Sequence, residues 1–117
     1  MRSLPKIFPW LLSVLCSWLI LTSPAWANDS APTPPSASAL FETHCAGCHV
    51  GGGNIVRRRK TLKQKALLRN GVDSVTAVAQ LINHGKGAMS AYQDRLTADE
   101  IDQLAQYVWQ QSQNNWQ

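Results

Sequence analysis

Cys45-Ala46-Gly47-Cys48-His49 is the stretch on which the reading of this 117-residue chain turns. Two thiols three positions apart fall on neighbouring points of one helical turn, so both can reach one edge of a flat ring. Joined to the two vinyl groups of a porphyrin they form thioethers, and the adjacent imidazole lies within reach of the iron. C-x-x-C-H is the attachment string of a c-type haem for this reason. Two other chemistries use paired cysteines. A thioredoxin-like dithiol needs a βαβ context, and nothing in this chain reads as one. A zinc site would have to combine the cysteines with His49 and His44 or His84, and there is no second C-x-x-C or H-x-x-x-H to complete it. The string points to haem.

The N-terminus supports that reading. Arg2 and Lys6 give a positive start, Ile7 to Leu21 is mostly apolar, and Ala25-Trp26-Ala27 is a small-x-small cleavage pattern. Residues 1–27 therefore read as a secretory signal peptide. Pro9, Ser13, Ser17 and Pro24 interrupt the apolar stretch, which falls short of the roughly twenty residues a membrane-spanning helix needs. Cys16 lies in this segment and leaves with it, so Cys45 and Cys48 are the cysteines of the exported form. Haem of the c type is attached on the far side of an energy-converting membrane, so export and motif agree. Residues 28–38 are rich in Pro, Ser and Ala and read as a flexible lead-in. That leaves 39–117 as one small domain, of a size that often needs a staple. A covalent haem supplies one.

Helical patterning fills the domain and no strand is convincing. Leu40, Phe41 and His44 predict a first helix from about Ser38 to Cys45 or slightly beyond. Gly51-Gly52-Gly53-Asn54 then makes a loop able to pass close to the haem. A second helix is expected over Thr61 to Arg69, ending at Asn70-Gly71. Val75, Val78, Ala79 and Ile82 mark a third, from Ser74 to Asn83. Thr97-Ala98-Asp99-Glu100 is a capping box opening the last. Its buried stripe is Ile101, Leu104, Ala105, Val108 and Trp109. Tyr107 and Trp109 are expected to pack on the first helix at Phe41, His44 is expected to be structural, and the polar tail from Gln110 to Gln117 is expected to fray. The fold class is all-α, with about four helices around one haem.

An iron held by one imidazole has a sixth position to fill. Met1 belongs to the leader, so Met89 is the methionine left for it, in the irregular stretch Gly85-Lys86-Gly87-Ala88-Met89-Ser90-Ala91-Tyr92. His84 is the rival ligand, and an open site for a small gas is the third possibility.

From Leu40 to Trp109 the chain resembles the cytochrome c6 group of class I c-type cytochromes. The resemblance is carried by Phe41-Glu42 ahead of the Cys45–His49 string, the run Gly51 to Asn54, Gly85-Lys86-Gly87-Ala88-Met89, and Arg95-Leu96 before the acidic start of the last helix. It implies a class I cytochrome c fold, Cys45 and Cys48 as thioether anchors, and His49 and Met89 as axial ligands. It also implies a lumenal or periplasmic carrier taking one electron from the cytochrome bf complex to photosystem I or a terminal oxidase. Arg95 matches an arginine associated with docking in that family.

Two positions depart from the pattern. Typical members follow the ligand methionine with proline, where this chain has Ser90, which removes a stiffener from the loop. They also carry glutamine four residues before the first glycine of the Gly-x-Gly string, where this chain has Leu81. A glutamine amide near the haem raises the potential, so Leu81 points to a lower-potential variant, as in low-potential c6-like relatives.

Charge is uneven. Arg57, Arg58, Arg59, Lys60, Lys63, Lys65 and Arg69 form a basic stretch without an acid, while Asp94, Asp99, Glu100 and Asp102 gather near the last helix. The acids suit a helix N-terminus in any case, and a basic run is often only a solvated face. Its functional reading is steering toward an acidic partner, with Arg57 to Lys60 as the docking candidates. Eleven Lys and Arg face seven Asp and Glu, and two of the eleven lie in the leader. So modest a charge on an exported haem protein gives no expectation of nucleic acid as a partner. No nucleophile and base are arranged for catalysis, and no small-molecule substrate is implied. The expectation is an electron carrier and not an enzyme. The alternative is a redox or gas sensor, or an accessory subunit, with a labile sixth ligand.

Overall fold

Ser36 starts the first helix: its side-chain oxygen accepts from the Ala39 amide at 3.3 Å, satisfying one of the unpaired donors of the first turn. The computed structural model describes residues 33–117, so the signal-peptide reading, Cys16 and the first part of the lead-in lie outside the described residues. Helix α1 runs over Ala37–His44 and buries Leu40 and Phe41. Ala37, one residue before the expected start at about Ser38, is thus already helical.

One expected helix becomes two. Cys45 steps out of helical geometry (φ −121°), and a single turn, α2 over Ala46–His49, follows it. A 3-10 turn over Val50–Gly52 completes the segment. The described residues therefore hold five α-helices where about four were expected, and no strand.

Helix α3 spans Gln64–Arg69, three residues later than its pattern suggested. Lys63, extended at ψ 141°, is the residue from which the helix starts. Before it, the Leu62 amide donates to Gly52 O at 2.8 Å and its carbonyl accepts from Trp116 Nε1 at 3.1 Å. Helix α4 covers Val75–His84, capped by Ser74, whose Oγ accepts from the Ala77 amide, and closed by Gly85 at φ 66°. Helix α5 covers Ala98–Gln113 behind the expected capping box. The Glu100 carboxylate accepts from the Thr97 amide at 2.8 Å and from its hydroxyl at 3.0 Å, which holds the carboxyl below its usual range.

Helix α5 is the spine of the packing, lying along α4 and against α1. Ile101 and Leu104 are fully buried along it, facing Leu40, Phe41, Val78 and Ile82 in one apolar cluster. Burial of each such side chain stabilises the fold by about 1.5–3 kcal/mol. The tail does not fray as expected. After Gln113 the chain turns back through Asn115 and Trp116, both at positive φ (60° and 61°). The indole lands 4.9 Å from the Phe41 ring and 6.1 Å from that of Tyr107. Phe41 also meets Tyr107 at 5.6 Å, as expected. Its second aromatic neighbour is Trp116, where the sequence pointed to Trp109. No helix among the described residues is long and apolar enough to cross a membrane.

Candidate functional site

A cavity of about 460 Å³ opens between the α1–α2 segment, the loop 54–62, helix α4 and the loop after it. Cys45, Cys48, His49 and Met89, separated by forty residues of chain, all line it. Leu67, Val72, Val78, Leu81, Ile82 and Val108 give it an apolar wall. Its size falls in the range of cofactor pockets. That wall asks for a largely apolar occupant. Cys48 is exposed and Cys45 half-buried, which puts the thiol-bearing edge at the surface.

The Cys45 thiol is not poised as a metal-binding or redox thiolate. Burial, with the neighbouring Cys48 charge adding to it, pushes the Cys45 thiol from 9.0 up to about 11. A dithiol redox pair or a zinc site needs a lowered value. Among the described residues no group of three His, Cys, Asp or Glu side chains stands close enough to hold a metal ion. The zinc alternative loses its ligand set. The two thiols at one edge of an apolar slot, with an imidazole beside them, fit a covalent haem.

His49 is oriented for that role. Its Nδ1 lies 2.8 Å from Gly53 O, and a carbonyl oxygen can only accept, so Nδ1 carries the proton. Nε2 therefore keeps an unprotonated lone pair able to bind a metal, and the bond to Gly53 fixes the ring plane. Gly53 was legible only as part of a glycine loop; its carbonyl is a functional atom that the sequence did not reveal.

Met89 is half-buried at the cavity wall, in a loop that closes on itself. The Lys86 amide donates to Met89 O at 3.0 Å and the Met89 amide to Lys86 O at 3.2 Å. Gly85 permits this: a Cβ there would sit 2.4 Å from Met89 O. His84, the rival ligand, is exposed at the end of α4 and is not among the cavity-lining residues. Leu81, the potential-tuning candidate, is half-buried in the cavity wall.

The docking candidates fall in two places. Arg57, Arg58, Arg59 and Lys60 are all exposed, and Arg57 and Lys60 reach the cavity rim. Their loop is held by two asparagines. Asn54 Oδ1 accepts from the Val56 and Arg57 amides at 3.0 and 2.7 Å. Asn70 Nδ2 donates to Arg59 O at 3.1 Å, and Lys60 Nζ donates to Asn70 Oδ1 at 2.6 Å. Arg95 is exposed, its guanidinium 4.3 Å above the Tyr92 ring and donating to Ala91 O at 3.0 Å. Arg95 is not among the cavity-lining residues; Tyr92 is. Tyr92 and Asn70 were not singled out from the sequence, because each acts through a partner distant in the chain.

Comparison with known proteins gives concordant results. The family model described as cytochrome c oxidase, cbb3-type, subunit III matches residues 32–108. The cytochrome c6-like protein of Nostoc sp. (strain PCC 7120) is 41% identical over 103 residues, covering 88% of this chain and 93% of that relative. The crystal structure of cytochrome c6C from Synechococcus sp. PCC 7002 is similar at a TM-score of 0.67 and 56% identity, over 68% of this chain and 98% of that one. Cytochrome c6B from Synechococcus sp. WH8102 is similar at 0.68 and 45% identity, over 73% and 97%.

Proposed function

The chain belongs to the cytochrome c6 family of c-type cytochrome electron carriers, and on that premise we propose that it shuttles single electrons from the cytochrome bf complex to photosystem I or a terminal oxidase, with His49 and Met89 as axial ligands. Its cofactor is one c-type haem, held through Cys45 and Cys48, and that group supplies the one-electron couple. The chain's own residues bind it, shield it and set its potential. The observation that carries the ligation is the shared cavity, which brings His49 and Met89 together and leaves His84 outside. The leader read from the sequence supports a thylakoid lumen or periplasm as the compartment.

Leu81 sets the potential low in this reading. An apolar side chain in the cavity wall offers no amide dipole toward the haem, so the more charged ferric state is not disfavoured there. Redox titration of the holoprotein, with the optical spectrum recorded at each potential, is the direct test. The expected result is a near-infrared Met–Fe(III) band with a midpoint below that of a typical cytochrome c6. Leu81→Gln should raise the midpoint by about 20–60 mV, the one-electron equivalent of a net hydrogen bond of about 0.5–1.5 kcal/mol. An unchanged or lower midpoint would return Leu81 to plain packing. Absence of the band would remove Met89 as ligand and bring forward the sensor reading.

Docking is assigned to the basic loop and its surroundings. Val50, Ile55 and Val56 are exposed at 65%, 67% and 58%, beside Arg57 to Lys60 and next to the haem string. Apolar side chains rimmed by cations suit a transient protein interface whose partner is acidic. Arg95 adds a cation near the Met89 loop. Exchanging Arg57, Arg58 and Arg59 for glutamine should slow electron transfer to such a partner about tenfold at low salt and flatten the salt dependence. Lys60 is left in place for its bond to Asn70. Stopped-flow rates across a salt series would show this, and an unchanged slope would mark the run as a solvated face.

A further inference from the structure

The Met89 loop is fastened at both ends to α4. The Gly85 amide donates to Leu81 O at 2.8 Å, and the Tyr92 amide donates to Ile82 O at 2.9 Å. With the Lys86–Met89 bridge between them, the loop is a lobe built on one helix. The haem string sits on another segment, and the reach of Met89 depends on how far apart the two are held. Among the described residues one hydrogen bond joins them directly: the Tyr92 hydroxyl donates to His44 O at 2.8 Å, across 48 residues of chain.

That carbonyl belongs to the residue immediately before Cys45, so the bond runs from the third residue after Met89 to the first thioether anchor. The Tyr92 ring is steadied on both sides of the link. It meets the His44 ring edge-on at 5.9 Å and the Arg95 guanidinium at 4.3 Å. Burial raises the phenol above its ordinary value, so the hydroxyl remains a donor at neutral pH. Ser90, where proline would stiffen the loop, is exposed and supplies no such restraint.

We infer that Tyr92 is a positioning residue whose hydroxyl holds the Met89 lobe against the haem-bearing segment and thereby keeps the sixth position closed. The inference rests on Met89 ligation as proposed above. Tyr92 does not touch the iron; it acts through the distance between His44 and the loop.

Tyr92→Phe keeps the ring and its Arg95 contact and removes only the donor, so it isolates the bond. Imidazole added to the ferric holoprotein reads how readily the lobe opens, because it binds only when Met89 withdraws. Ser74→Ala is the control: loss of that cap loosens the start of α4 without touching the link. Tyr92→Phe should bind imidazole about tenfold more tightly than the parent protein, a difference of about 1.4 kcal/mol, and Ser74→Ala should match the parent. Equal affinities for Tyr92→Phe and parent would overturn the inference and leave Met89 ligation intact. An equal gain in both variants would overturn it as well, by showing general loosening. A parent protein without the near-infrared Met–Fe(III) band would overturn the inference and the ligation together.

Discussion

Gly52→Ala is expected to lower the unfolding free energy of the ferric holoprotein by about 3–5 kcal/mol, a large share of the ~5–15 kcal/mol a domain of this kind has. Two independent costs combine. Gly52 has φ 72°, and an alanine in that left-handed region is strained by about 1–2 kcal/mol. Its Cβ would also sit 2.3 Å from two ring carbons of Trp116, so the indole must leave. Leaving takes it off Phe41 and Tyr107 and breaks its bond to Leu62 O. Guanidinium titrations of a double-mutant cycle with Trp116→Ala separate the two costs. Once the indole is gone, only backbone strain remains, and Gly52→Ala should then cost about 1–2 kcal/mol. Equal costs in both backgrounds would show that the indole is not what the new methyl group meets. Because Gly53 O orients His49, the displaced glycine turn should also shift the midpoint.

This pairing shows why part of the molecule was legible and part was not. Thr97–Glu100 could be read because a cap is settled within four residues, and the capping box formed where expected. The Cys45–His49 string could be read because covalent attachment dictates spacing along the chain. Trp116 looked like a loose end. Its anchors are Gly52, Phe41 and Leu62, all more than fifty residues away, and local polarity says nothing about them. The break at Cys45 escaped notice because it is a change of backbone dihedral at a residue that is neither glycine nor proline, so no breaker marks it. The positioning atoms around the haem string were hidden for a further reason. Gly53 O and His44 O are backbone carbonyls, which every residue has, so no residue type marks them.

Replacing Met89 by alanine should produce the largest functional change. The thioether is a soft, neutral ligand that favours ferrous iron and so raises the potential. Its removal should abolish the near-infrared ferric band and lower the midpoint by on the order of 0.1 V, within the ~0.8 V that axial ligands span. The loop itself should survive, because the Lys86–Met89 bridge is made by backbone atoms that alanine keeps. Met89 is only half-buried, so the stability cost should lie near the low end of a methionine truncation, about 2 kcal/mol. With the shape retained and the ligand gone, the reduced protein should bind carbon monoxide, which the parent should resist. Spectra and carbon monoxide titrations of both proteins decide among three ligand sets. A band that persists in Met89→Ala would mean that the thioether was never bound. Parent protein that takes up carbon monoxide as readily as the variant would mean an open site, and the sensor reading would replace the carrier. If the variant loses the band and His84→Ala leaves it unchanged, the cavity lining will have identified the ligand correctly, because it includes Met89 and leaves His84 at the exposed end of α4.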